Sequence, residues 1–326
     1  MSLLITGGLG YIGSHISKIY QEDEIIIIDN LSNSQLNYKK ALPKAKVIID
    51  DINLKSLNHI FKNYDIRGVI HLAGLKSVDE SIKYPLNYYR RNVTTTLDLL
   101  ENMEKFKVNK LIFSSSATVY GNENLSPLEE SFDTSAINPY GETKIINENL
   151  IKNYCKSNKD FSSIILRYFN PIGAHMSGDL ADNPAGKPQN IMPLIIEAAN
   201  KDLILKVFGN DYSTKDGTCV RDYIHVIDLA ESHLLSLKYL NTYTGYEILN
   251  VGLGKGISVL ELINLFEKTN KIKIRYEFSD RRAGDTSISF ASNVKIKKIL
   301  NWSPLYSYES MCRDSWNASK NNTKVL

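Results

Sequence analysis

The run Leu3-Leu4-Ile5-Thr6-Gly7-Gly8-Leu9-Gly10-Tyr11-Ile12-Gly13, followed by Ile25-Ile26-Ile27-Ile28-Asp29, constrains this chain more than any other feature. A short apolar strand enters glycines spaced for a tight turn and for close backbone approach to a pyrophosphate. The next helix then aims its free N–H groups at that negative charge. The second apolar run begins at the distance a strand, turn, helix and strand occupy, and it ends on the carboxylate of Asp29. A carboxylate there can accept hydrogen bonds from both hydroxyls of an adenosine ribose and repels a 2′-phosphate, so the pattern reads as an NAD site over an NADP site.

With 326 residues, 43% of them hydrophobic, the chain can bury the core of one large or two ordinary domains. The formal charge is only +3, and the lysines lie scattered among acids, so no nucleic-acid partner is expected. Cys155, Cys219 and Cys312 are odd in number and form no CxxC pair, which supports neither a disulfide framework nor a zinc site, and no metal is expected. The first apolar run lacks a basic flank and a cleavage site, and no run reaches membrane-spanning length. A cytoplasmic protein without a membrane partner is the expectation.

Strand-like runs at Leu3–Thr6, Glu24–Asp29, Lys46–Ile49, Gly68–Leu72, Lys110–Ser114 and Ser163–Tyr168 alternate with amphipathic stretches such as Val93–Phe106 and Thr143–Ser157. Such alternation predicts an α/β fold, a Rossmann-type doubly wound parallel sheet over residues 1–170. Beyond Asn170 the pattern turns irregular and reads as a smaller C-terminal α/β substrate domain over 171–326, with a segment around 220–233 returning to the larger one. Gly7, Asp29, Asp51, Ala73-Gly74, Ser114-Ser115-Ser116 and Asn170 all follow strand ends, where doubly wound sheets bind ligands.

Tyr140 and Lys144 stand four residues apart behind Pro139, which places both on one face of a helix. A free phenol is a poor base at neutral pH, but an adjacent ammonium and a positive nicotinamide favour its phenolate. Tyr140 is therefore the candidate acid/base toward a hydroxyl. Ser116 ends a strand on the same sheet edge and can share that proton, although serines at such positions also cap helices. His71 and His225 read as core histidines.

Gly7 to His15, Asp29-Asn30-Leu31, Ala73 to Lys76, Ser114 to Gly121, Pro139 to Lys144, Leu166 to Gly173, Asn190 to Pro193, Phe208 to Tyr212, Val220 to Asp228 and Arg281 to Asp285 carry a resemblance over nearly the whole chain. The sequence resembles the UDP-glucose 4-epimerase family, within the extended short-chain dehydrogenase/reductases. The resemblance implies transient oxidation of a UDP-hexose at C4 by tightly held NAD, rotation of the 4-keto sugar and return of the hydride to its other face. It places Ser116, Tyr140 and Lys144 at catalysis. It places Gly7, Gly10, Tyr11, Ile12, Gly13, Asp29, Asn30, Asn33, Ser34, Asp51, Ile52, Leu72, Ala73, Lys76, Asn92 and Phe169 at NAD, together with Tyr140 and Lys144. For the nucleotide sugar it implies Ser116, Asn170, Asn190, Ile191, Phe208, Arg221, Tyr223, Arg282 and Asp285, the two arginines suiting a diphosphate. It also implies a homodimer that pairs the helices Val93–Phe106 and Thr143–Ser157.

Four residues beyond Asp285, where glucose-restricted members of that family carry tyrosine, this chain has Ser289. A small side chain at that wall implies room for an N-acetyl group, hence turnover of UDP-GlcNAc and UDP-GalNAc beside UDP-Glc and UDP-Gal, unless Phe290 fills the gap. A nucleotide-sugar dehydratase shares the oxidation but needs an acid/base pair directly after Ser116, where Ala117 and Thr118 stand. A UDP-glucuronate epimerase or decarboxylase and an NAD-sensing regulatory protein are the remaining alternatives.

Overall fold

The apolar runs of the first half fold into the parallel strands they predict. The structure, a computed structural model, describes residues 1–322 apart from Gln35, Lys187 and Ala283. Strands β1 (Ser2–Thr6), β2 (Glu24–Asp29), β3 (Ala45–Ile49), β4 (Ile66–His71), β5 (Lys110–Ser116) and β6 (Ser162–Tyr168) alternate with helices α1 (Tyr11–Ile19), α2 (Leu54–Asn63), α3 (Val78–Lys83), α4 (Pro85–Tyr89), α5 (Thr95–Lys105) and α6 (Pro139–Ser157). Successive side chains of a strand face opposite ways, and both faces here are covered, which is why these strands read as unbroken apolar runs. Leu3, Ile5, Ile27, Ile70 and Ile112 pack on one face, while Leu4, Ile26, Val69, Leu111 and Phe113 pack on the other against Leu57, Leu99 and Ile151.

The chain then forms β7 (Asn170–Ile172), α7 (Ile191–Lys201), β8 (Leu205–Phe208), β9 (Val220–Arg221), β10 (Tyr223–His225), α8 (Val226–Tyr239) and β11 (Gly245–Val251). β10 lies parallel to β7, α8 covers the face that also carries α1, and β11 pairs with β6 as the seventh strand of the large sheet. The return to the large sheet thus runs on to Val251, past the segment around 220–233 that the sequence suggests. Gly245 to Glu247 are only half-buried at the sheet edge, so this strand lacks the apolar run that announces the others. The chain ends with β12 (Ile257–Ser258), α9 (Val259–Asn270), β13 (Tyr276–Ser279), β14 (Ile288–Ser289), α10 (Val294–Leu300) and α11 (Tyr308–Asn322). Met192, Ile195, Val207, Tyr223, Phe266 and Trp316 form a separate core among these later elements.

The large sheet runs β11-β6-β5-β4-β1-β2-β3. Connections leave β1 toward β2 and β3 on one side and resume at β4 on the other, so the β1/β4 boundary is the switch point at which such sheets bind ligands.

Candidate functional site

Gly7 leaves β1 with φ +69°, and its N–H donates to Ile28 O at 2.8 Å. A Cβ there would lie 2.9 Å from the backbone of Ala73 across the switch point, and one on Gly13 would lie 2.6 Å from Gly8 Cα. Only glycines let the turn pack this tightly. No side chain caps α1 at Gly10, and its first turn holds no acid, so the helix N-terminus faces the crevice ready for an anion. Asp29 is buried at the end of β2. Its carboxylate accepts from Leu9 N at 3.0 Å, Leu31 N at 2.9 Å and Ser34 Oγ at 2.6 Å. A carboxylate has about four acceptor positions, so Asp29 orders its loop and still has capacity for a sugar hydroxyl. These residues fit NAD.

The other nominated cofactor residues differ in burial and in partners. Asn30 donates to Asp51 Oδ1 at 2.6 Å, and Arg91, which the sequence does not single out, reaches the same oxygen at 3.1 Å. These two partners hold the Asp51 carboxyl below its ordinary pKa, the Asn30 hydrogen bond first. Asn33 and Lys76 are exposed, while Leu72, Ala73, Ile12 and Ile52 are half-buried and Phe169 is buried. Tyr11 donates to Gly173 O at 2.6 Å. Asn92 sits in a π-turn over Arg90–Thr94, accepts from Leu75 N at 2.8 Å and donates to Thr143 Oγ1 at 3.0 Å. It thereby ties the turn after β4 to α6.

Helix α6 starts one residue before Tyr140, because Asn138 caps it by accepting from Gly141 N at 2.9 Å and Pro139 supplies a preset φ. The Tyr140 phenol is close enough to Ser116 for that hydroxyl to favour its phenolate, and Ser116 Oγ accepts from Thr118 Oγ1 at 3.0 Å. Lys144 is buried one turn further on, its Nζ donating to Ser114 O at 2.7 Å and lying 5.8 Å from the Tyr140 ring centre. Burial pulls Lys144 down to about 8, with the Glu148 charge opposing. In the chain itself the Tyr140 phenol is not lowered: burial raises it, and only the Ser116 hydroxyl pulls the other way.

The sugar-side candidates lie on and between the later elements. The Arg282 guanidinium lies 4.1 Å from the Phe208 ring centre. Arg221 donates to Thr286 O at 2.8 Å and faces Asp285 at 3.4 Å, while Ser289 pairs with Arg221 in the β9/β14 register. Tyr223 is buried opposite Asn170, whose Nδ2 donates to Asp222 O at 2.9 Å. Asn190 is exposed at the start of α7, donating to Asp182 at 3.2 Å, and Ile191 follows half-buried. Asp222 is a residue the sequence reading passes over. Buried between Arg221 and Tyr223, it accepts from the N–H groups of Leu253, Gly254 and Ala291 and so fixes the strands that carry those two. Its position between two nominated strand residues, facing the other way, was the available signal.

The model of the NAD dependent epimerase/dehydratase family matches residues 3–252. The chain belongs to that family. A UDP-glucose 4-epimerase of Bacillus subtilis is 45% identical over 334 residues, spanning 99% of this chain and 98% of its own. Among solved structures, a UDP-glucose-4-epimerase from Stenotrophomonas maltophila with bound NAD and formylated UDP-arabinopyranose superposes with a TM-score of 0.96 at 39% identity, covering 100% of both chains. A UDP-glucose 4-epimerase from Bifidobacterium longum in complex with NAD+ and UDP gives 0.95 at 37% identity, again over 100% of both. Like its relatives in the NAD dependent epimerase/dehydratase family, this chain carries the seven-stranded Rossmann-type sheet that such a cofactor requires. No helix among the described residues is long and apolar enough to cross a membrane.

Proposed function

We propose that this chain is an NAD-dependent UDP-hexose 4-epimerase, with NAD along the β1/β4 crevice and Ser116, Tyr140 and Lys144 at the sugar. The observation that carries this reading is Lys144 held buried one turn along α6 from Tyr140, its Nζ 5.8 Å from the Tyr140 ring centre, on a fold whose glycine turn is spaced for a dinucleotide. The full-length likeness to epimerases solved with NAD, UDP and a UDP-sugar supports it. Bound NAD supplies a hydride acceptor that later becomes the donor at the same carbon, so no net oxidation results.

Tyr140 accepts the proton of the 4-hydroxyl as the C4 hydride departs, and returns it after the 4-keto sugar has turned over. Ser116 bridges the phenol and that hydroxyl. Since burial favours the neutral phenol, Tyr140 acts as a base only when positive charge stands beside it, and the Lys144 ammonium is the protein's own contribution. Arg221 and Arg282 hold the diphosphate, and Asn170, Asn190, Ile191, Phe208, Tyr223 and Asp285 hold the rest of the nucleotide sugar. This reading goes with an NAD-binding part over residues 1–170 and a UDP-sugar-binding part beyond, the segment around 220–233 returning to the former. Exposed Leu97 on α5 suits a homodimer through α5 and α6, and three free buried cysteines suit the cytoplasm. Incubation of the pure protein with UDP-glucose and no added NAD yields UDP-galactose if this is right. A product lighter by one water identifies a dehydratase instead.

A second reading concerns the sugar. Ser289 lies beside Arg221, and the Phe290 backbone is tied away, its N–H to Ser126 and its carbonyl to Leu128 N. Those two backbone bonds tie Phe290 to the 126–128 segment, which speaks against its ring filling the place beside Ser289. We infer that UDP-GlcNAc and UDP-GalNAc are substrates as well. Ser289→Tyr should lower kcat/KM for the acetylated sugars by about tenfold or more, the scale of an overpacked pocket, with plain sugars within a few-fold. Equal losses on both sugars, or none, contradict it.

A further inference from the structure

Beneath the Tyr140/Lys144 pair lies a charge network that neither the cofactor nor the sugar accounts for. Glu148 follows Lys144 by one turn of α6 and is 1% exposed. Its Oε1 accepts from Ser115 Oγ at 2.6 Å and Arg167 Nε at 3.0 Å, and its Oε2 accepts from a terminal Arg167 nitrogen at 2.7 Å. Arg167, itself 2% exposed, lies 4.8 Å from the Tyr120 ring centre. Ser115 and Arg167 sit opposite each other in the β5/β6 register, so the carboxylate is fixed to the two strands under the site.

Resting on the catalytic reading above, we propose that Glu148 is a positioning residue for the epimerisation: the fixed buried counter-charge that keeps Lys144 an ammonium beside Tyr140. A lysine taken out of water tends to lose its proton. Among the described residues no carboxylate pairs with Lys144, whose Nζ bonds the Ser114 carbonyl. Burial has already brought it to about 8, and the Glu148 charge is what holds it up. Residues four apart on a helix are neighbours, and the Arg167 fork keeps Glu148 in place without touching Lys144.

The other ionisable groups around Lys144 do not supply this charge. On α6 itself these are Tyr140, Lys152 and the half-buried Glu142, which stands two residues from Lys144 and so points round the helix from it. On β4, His71 is held neutral, lowered to about 3 first by burial and then by Lys144. On β6 stand Arg167 and Tyr168, and on the turn after β5 Tyr120, none of them anionic at neutral pH. Asp79, Glu80 and Lys83 on α3 and Arg90 and Arg91 on the π-turn are exposed, and Glu247 on β11 pairs with Lys295.

The test is the pH profile of epimerase turnover in Glu148→Gln, Glu148→Asp and the double variant Glu148→Gln/Arg167→Met, the last of which removes the uncompensated arginine that threatens folding of the first. Without the carboxylate, Lys144 loses its proton at lower pH. The alkaline limb of the profile moves down by about one pH unit in Glu148→Gln, and by a smaller step in the same direction in the double variant, which also loses the arginine's opposing charge. Activity of the single variant at pH 8.5 therefore falls about tenfold against wild type, while activity at pH 6 stays within a few-fold. Glu148→Asp keeps the limb where it was. A double variant whose limb matches wild type, or equal losses at every pH in the folded variants, overturns the assignment and leaves a structural ion pair. If Lys144→Met retains wild-type turnover and profile, the fault lies instead with the catalytic reading beneath it.

Discussion

Tyr140→Phe should lower kcat by about 10²- to 10⁴-fold while the protein keeps its fold and its NAD. That range is what a positioned acid/base contributes. The change removes one hydroxyl near Ser116, and Ser116 retains its bond to Thr118. No buried donor is stranded, so stability shifts little. The helix start, capped by Asn138 and Pro139, is untouched as well. Steady-state rates with UDP-glucose, read beside NAD content from the absorbance of the denatured protein, separate the two effects. A variant within tenfold of wild type means that the sugar proton goes elsewhere.

Gly13→Val should abolish dinucleotide binding. The first added carbon alone would stand 2.6 Å from Gly8 Cα and 2.7 Å from Gly7 O, and both are backbone atoms that cannot swing aside. The glycine turn or α1 must move, and the N–H groups that would face the pyrophosphate move with it. Overpacking of this kind costs about 1–3 kcal/mol of stability or more. Wild type gains stability from NAD as RT ln(1 + [L]/Kd), about 2.7 kcal/mol at a hundredfold excess over Kd. Thermal melts of protein stripped of its NAD, with and without NAD added back, should therefore rise with ligand for wild type and coincide for the variant. A variant whose melting point climbs with NAD as the parent's does would remove the cradle from this turn.

Much of this was legible because local physics and global fold agree in the first half of the chain. The isoleucine runs 25–28 and the Gly7–Gly13 spacing each admit few structures, and Tyr140 and Lys144 fall on one face as soon as Pro139 is read as a helix start. β11 was not legible, since a half-exposed edge strand carries no long apolar run. Nor was the work of Asp29: the sequence marks a ribose-binding carboxylate, whereas the fold also uses it to bind Leu9, Leu31 and Ser34. Glu148 and Asp222 escaped for a shared reason. A buried carboxylate is distinguished by its partners, and Arg167 and the Ala291 N–H come from distant parts of the chain. The direction of the Tyr140 shift likewise depends on burial, which no spacing rule supplies.

UDP-glucose carrying deuterium at C4 of the hexose tests the central claim most directly. Oxidation and re-reduction at one carbon predict UDP-galactose with the deuterium still at C4, and neither label in the solvent nor labelled dinucleotide set free. Deuterium lost to water, or accumulating in released NADH, would contradict it.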